Sequence, residues 1–178
     1  MDFHDIAAFS EKYAVRPLTE DDIEAVFALC RGNPQYYEYC PPAVTRDSIR
    51  RDMQILPPGK GPEDKYFLGL FDGKDLAAVM DMIDGYPDPG TAYLGFFMVA
   101  APYQHRGIGS AVIAGLCKAL ERQGFREIRL CRIKGNPQPE AFWHKNGFTE
   151  LDLPYDTGDR IVMRRLLSSA GECPAANG

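Results

Sequence analysis

The stretch YQHRGIGSA (residues 103–111) stands between an apolar run, YLGFFMVA (residues 93–100), and a helix-patterned run, SAVIAGLCKALERQG (residues 110–124). A chain that turns from strand into helix through two glycines leaves the first helical N–H groups unpaired. The helix dipole adds roughly half a positive charge at that end. Gly107 and Gly109 clear space around those donors and allow positive φ, so the turn has the makings of an anion site. Gln104, His105 and Arg106 supply further donors, and the backbone runs on through Ile108 and Ser110. The Rossmann fingerprint fails because Val112 fills its third glycine place, the Walker G-K-[ST] is absent, and Ile108 two before Ser110 rules out a nucleophile elbow. A lone G-x-G is equally consistent with a plain connector between strand and helix.

Outward from that turn the chain alternates its periods. AVRPL (residues 14–18) reads as a short strand, and Thr19 as an N-cap with Asp22 three residues on. Ile23, Val26, Phe27 and Cys30 then fall on one helix face, which GNP (residues 32–34) stops. A second helix starts at Thr45 with Ile49, Met53 and Leu56 as its stripe. KYFLGLF and DLAAVMDMI across DGK predict a hairpin, and TAYLGFFMV (Thr91–Val99) a third strand. The long helix runs over residues 108–123 and closes at Gly124. REIRLCRI (residues 126–133) is a strand, EAFWHKN (residues 140–146) a short helix, and FTELDLPY pairs with RIVMRRLL. The order β α α β β β α β α β β predicts a mixed α/β (α+β) sheet.

The 178 residues suit one domain over residues 1–167, with a small, polar and disordered tail at 168–178. Apolar residues make up 45% and charged residues 25%, an ordinary globular balance. Twenty basic against 25 acidic residues leave a net charge of −5 with no basic block, which argues against a nucleic-acid surface. No run of 18 apolar residues exists, so no membrane span is expected. The start, MDFHDIAAFSEKYA, lacks the pattern of a signal peptide. Cys30, Cys40, Cys117, Cys131 and Cys173 are odd in number with no C-x-x-C pair, so reduced thiols and a cytoplasmic setting are expected. No cluster of metal ligands is legible.

Taken whole, FFMVAAPYQHRGIGSAVI resembles the core motif of the GNAT N-acetyltransferase superfamily, Q/R-x-x-G-x-G/A after a strand, with Gln104, Gly107 and Gly109 in its fixed places. VRPLTEDDIEAV resembles the family's first strand and helix, and GNPQPEAFWHKNGF its late motif. The resemblance covers nearly the whole of residues 14–167. It implies a GNAT fold: a mixed sheet of six to seven strands flanked by four helices, with a cleft for acetyl-CoA where two parallel strands splay. It implies that the backbone of Phe97, Met98 and Val99 pairs with the pantetheine arm. The segment from Gln104 through His105, Arg106, Gly107, Ile108 and Gly109 to Ser110 would hold the pyrophosphate. Asn136 would contact the cofactor arm or the acetyl end, and Trp143 would lie against the cofactor. The implied reaction is acetyl transfer to a primary amine of a small molecule or peptide by direct attack, with Val99 N–H on the oxyanion. Relatives are often homodimers.

Two departures stand out. Trp143 fills the place where the family often carries a Tyr acid, and an indole N–H supplies no proton. Tyr155 is then the alternative acid, and packing the alternative role for Trp143. The strand before the glycine turn has no carboxylate, so Asp81, and with it Asp84, on the preceding strand become the candidate bases. Asp81 lies among apolar residues that would raise its pKa. Tyr36, Tyr37, Glu38 and Tyr39 form either an amine-binding wall or a lid. A non-catalytic acyl-CoA-binding module of the same fold is the competing expectation.

Overall fold

The computed structural model describes residues 5–153 and 157–167. The expectations for Tyr155, for the end of the FTELDLPY strand and for the tail at 168–178 lie outside those residues. Among the described residues seven strands form one sheet in the order β1-β2-β3-β4-β5-β7-β6. They are β1 (Ala14–Pro17), β2 (Lys65–Asp72), β3 (Asp75–Asp84), β4 (Thr91–Val99), β5 (Glu127–Ile133), β6 (Thr149–Glu150) and β7 (Arg160–Leu166). Every neighbouring pair is antiparallel except β4 and β5, which are parallel and joined through a helix. The mixed sheet predicted from the alternation of periods is thus observed.

Among the described residues five α-helices accompany it: α1 (Ile23–Arg31), α2 (Pro34–Tyr39), α3 (Arg46–Gln54), α4 (Ile108–Arg122) and α5 (Pro137–Lys145). Four were expected. The fifth is α2, hidden because Pro34 reads as a breaker, whereas a proline at the first helical position loses no hydrogen bond. α3 starts at the predicted place, with Thr45 as its cap, the hydroxyl accepting from Ser48 N–H at 3.0 Å. Among the described residues of FTELDLPY, only Thr149–Glu150 is strand.

The sheet buries both faces. Toward α4, Leu68, Leu70, Met80, Met82, Leu94 and Ile128 pack on Ile113, Leu116 and Leu120, and Phe9, from a short 3-10 turn (Ile6–Phe9), seals the same core. Toward α1 and α3, Phe67, Phe71, Val79 and Met98 pack on Ile23, Val26, Leu29 and Ile49. Each such side chain contributes about 1.5–3 kcal/mol on burial. β3, with a neighbour on each side and helices above and below, is buried from Ala77 to Asp84. That explains its near-continuous apolar run. Among the described residues no helix is long and apolar enough to cross a membrane.

Candidate functional site

β4 and β5 pair only over Thr91–Glu127 to Leu94–Leu130. Both strands continue, β4 to Val99 and β5 to Ile133, so a gap opens between their ends. The cause is visible in β4. Its register against β3 shifts between Asp81 and Met82, leaving Gly95 as the extra residue of a β-bulge. A bulge inverts the alternation beyond it. Ala92 and Leu94 face the α4 core, yet Phe96 and Met98 face the α1 core, and Phe97 and Val99 return to the α4 side.

The bulge also decides which backbone groups meet the gap. Ala100 N–H donates to Ala77 C=O at 2.8 Å, so the bonding pairs along this ladder are Ala77–Ala100, Val79–Met98 and Asp81–Phe96. Phe97 and Val99 therefore turn their N–H and C=O toward the gap. Met98, expected to share in pairing the pantetheine arm, spends its groups on β3 and buries its side chain, which leaves Phe97 and Val99 as the residues of the three that face the gap. From the far side, Leu167 N–H donates to Arg126 C=O at 2.8 Å. The same alternation turns Cys131 and Ile133 of β5 toward the gap.

Above the gap sits the N-terminus of α4. Gly107 is its N-cap at φ 74°, ψ 2°, a left-handed conformation that side chains resist. The first bond inside the helix runs from Ala111 N–H to Gly107 C=O at 3.0 Å, so the N–H groups of Ile108, Gly109 and Ser110 have no partner within it. His105 holds φ 59°, the only non-glycine with positive φ among the described residues, and its side chain and that of Arg106 are exposed. A Cβ on Gly109 would lie 3.1 Å from the Phe142 ring, so this glycine admits α5 close to the turn.

Gln104 was expected to donate to the phosphates. Its N–H is spent on Ala101 C=O at 3.2 Å, and its side-chain Nε2 donates to Val99 C=O at 2.7 Å and to Asn33 Oδ1. Asn33 Nδ2 also donates to Val99 C=O at 3.3 Å and to Leu29 C=O at 2.9 Å. The two amides lock the end of β4 to α1 and α2, because Val99 C=O, aimed into the gap, would otherwise lack a donor. Asn33 escaped the sequence reading, where it stood only as part of a helix stop.

Asn136 is buried and caps α5, its Oδ1 accepting from Gln138 N–H at 3.3 Å. Trp143 is 7% exposed and packs in the α4 core against Phe142, Phe148 and Phe97 at ring distances of 4.8, 5.1 and 6.3 Å. The side chain that α5 presents to the gap is its neighbour Phe142, stacked on Phe97 at 6.2 Å. The sequence signal for it was the aromatic doublet Phe142–Trp143, read only for its second member.

On the other face of the sheet, Asp81 is not a free base. Lys65 Nζ donates to both its oxygens, at 2.8 and 2.9 Å, and the two side chains are 5% and 13% exposed. Burial pushes the Asp81 carboxyl up while Lys65 pulls it down. Asp84, at the opposite end of β3, pairs with Ala92 and lies away from the gap. Of the tyrosine cluster, Tyr36 rests edge-on against Phe96 of β4 at 5.7 Å. Tyr37 turns into the α1 core, where burial raises its hydroxyl pKa beside Cys30. Tyr37 and Glu38 line a groove with Phe27 and Val44 on the outer side of α1 and α2, and Tyr39 is exposed. Only Tyr36 of the four reaches β4 through a ring contact.

Among the described residues one set of metal-ligand types converges: Glu140, His144 and Glu150. The Arg132 guanidinium lies against the two carboxylates, 3.4 Å from Glu140 and 2.5 Å from Glu150, with its side chain 3% exposed. It supplies the positive charge the carboxylates need and ties α5 to β6.

Residues 27–148 match the model of the acetyltransferase (GNAT) family. No curated protein matches the chain. Among solved structures, an acetyltransferase from Thermus thermophilus is similar at TM-score 0.74 and 22% identity, covering 88% of this chain and 97% of that one. The PaiA N-acetyltransferase from Thermoplasma acidophilum, solved with coenzyme A, is similar at TM-score 0.64 and 21% identity, covering 85% and 97%. The ribosomal-protein-S18-alanine N-acetyltransferase from Escherichia coli is similar at TM-score 0.63 and 20% identity, covering 90% and 97%. At these identities the likeness is one of fold.

Proposed function

This chain belongs to the acetyltransferase (GNAT) family, and from that premise we propose that it transfers the acetyl group of acetyl-CoA to a primary amine of a small molecule or peptide. The observation that supports this reading is the gap itself. Two parallel strands part after Leu94 and Leu130, directly below a glycine-opened helix N-terminus. An extended acyl-pantetheine arm laid in the gap would add itself to β4 as a strand does, meeting Phe97 and Val99. The pyrophosphate would meet the N–H groups from His105 to Ser110. Arg106 and His105 flank that end with exposed basic side chains.

In the reaction the neutral amine attacks the thioester carbon. The N–C bond forms, the C–S bond breaks, and CoA leaves as its thiolate. Val99 N–H, facing the gap while its carbonyl is held by Gln104 and Asn33, is free to donate to the oxyanion. An ammonium with pKa of about 8 to 10 gives up one proton to water at the open end of the cleft before the attack, and the nitrogen loses its second to water as the tetrahedral intermediate collapses to the amide. A thiol with pKa of about 8.5 leaves tolerably as the anion, so Trp143 need not supply a proton. Tyr36 on Phe96 forms the aromatic side of the acceptor site.

Calorimetric titration with acetyl-CoA, with ATP and NAD as controls, tests the cofactor, and CoA release over a panel of amines tests turnover. One-to-one binding of acetyl-CoA alone, followed by CoA release with an amine, is the expected result. Binding with no release over any amine would mean that the domain only holds acyl-CoA. No binding would overturn the reading.

A further inference from the structure

The extra residue of the β4 bulge is a glycine with a reason. A Cβ on Gly95 would lie 2.9 Å from Asp81 Oδ2, closer than real side chains come. The carboxylate thus lies flat against the bulge, in the space a side chain at position 95 would take. Asp81 also pairs through its backbone with Phe96, the next residue of the bulged strand. A buried carboxylate needs a cation, and Lys65 of β2 gives it both hydrogen bonds. Asp52 of α3 is the other charge that acts on the pair. Such a pair adds little net stability over an apolar pair of the same shape, so fold stability alone does not account for it.

We propose that the Lys65–Asp81 ion pair is a positioning device for the acetyl-CoA cleft. It pins the Gly95 bulge, and through the bulge it sets which backbone groups of β4 face the gap. A strand without that extra residue would turn Phe96 and Met98 outward and bring Phe97 and Val99 back to β3. Asp81 and Lys65 then act on catalysis only through Phe97 and Val99. This inference rests on the reading of the gap as the acetyl-CoA site.

The test compares the wild type with Lys65→Met combined with Asp81→Asn, which removes both charges at nearly constant volume. Lys65→Arg, which keeps the pair, is the conservative control. The readouts are a crystal structure of each unliganded variant, the dissociation constant for acetyl-CoA, and Tm. In the neutral variant the bulge is expected to shift, Phe97 and Val99 to turn from the gap, and the dissociation constant to rise at least tenfold, with Tm within a few degrees of wild type. Lys65→Arg is expected to stay within threefold. If the neutral variant does not fold, Gly95→Ala carries the same test by placing a methyl against the carboxylate. A bulge unmoved, or a bulge moved with affinity unchanged, overturns the proposal. Failure of the wild type to bind acetyl-CoA would overturn the function instead, and the crystal structures would still report whether the pair holds the bulge.

Discussion

Gln104 Nε2 lies 2.7 Å from the carbonyl oxygen of Val99, so the turn that opens α4 is tied to the last residue of β4. The bond joins the two ends of the proposed site: the helix start put forward for the phosphates and the strand end put forward for the thioester. Asn33 reaches the same oxygen from the start of α2.

Gln104→Leu leaves that oxygen with Asn33 alone. A net hydrogen bond of about 1 kcal/mol is lost. Affinity for acetyl-CoA is expected to fall about fivefold by calorimetry. Combining the change with Asn33→Ala should cost more than the sum of the two, because only the second loss leaves that oxygen without a donor.

Gly107 and Gly109 separate conformation from space. A Cβ at Gly107 meets nothing within 4 Å, but φ is 74°. Gly107→Ala should cost about 1–2 kcal/mol of stability in urea unfolding, from left-handed strain alone. Gly109→Val presses on Phe142, 3.1 Å from the new Cβ. It should abolish acetyl-CoA binding in calorimetry while the far-UV circular dichroism stays that of the wild type.

Trp143→Phe should leave turnover within about tenfold, a barrier change of about 1.4 kcal/mol. Stability should fall by about 1–3 kcal/mol in urea unfolding, since a buried ring loses volume among Phe97, Phe142 and Phe148. A loss beyond a thousandfold with acetyl-CoA affinity intact would give the indole a chemical role.

Tyr36→Ala removes the ring from Phe96. Steady-state kinetics should show KM for the amine raised about tenfold, with the acetyl-CoA dissociation constant unchanged by calorimetry. A change in the second and not the first would move the acceptor site elsewhere.

Arg16 binds both oxygens of Asp22 at 2.8 Å and holds its carboxyl down at about 2. A depressed carboxyl stabilises the fold in full above the unfolded value of about 3.9, and the effect is lost as pH falls toward 2. Asp22→Asn should therefore cost about 1 kcal/mol at pH 7, as expected of a pair whose arginine is about half exposed to solvent. The gap between wild type and variant in urea unfolding should narrow steadily from pH 5 to pH 2.5.

Local periodicity carried most of the fold. The strand Thr91–Val99 and the start of the long helix at Ile108 fall where the sequence places them, because each is decided by the alternation of side chains within one element. Helix α2 did not show itself, since six residues give less than two turns of pattern and Pro34 has opposite meanings before and inside a helix. The glycine turn, too, was readable as a possible anion site, from the backbone chemistry of a helix start.

Residue order thus settled what is local: which segments are strands or helices, where the chain must bend, and where unpaired N–H groups gather. Everything that depends on neighbours distant in the chain waited for the fold. The register shift at Gly95 turned Phe97 and Val99 to the gap and Met98 away from it. Lys65, 16 residues from Asp81, converted an expected base into half of an ion pair. Asn33, 71 residues from Gln104, closed the hydrogen bonds at the end of β4. One cause underlies all three. Backbone direction across a sheet and the partner of a buried charge depend on which strands lie side by side, and that neighbour is set by the whole chain rather than by the segment.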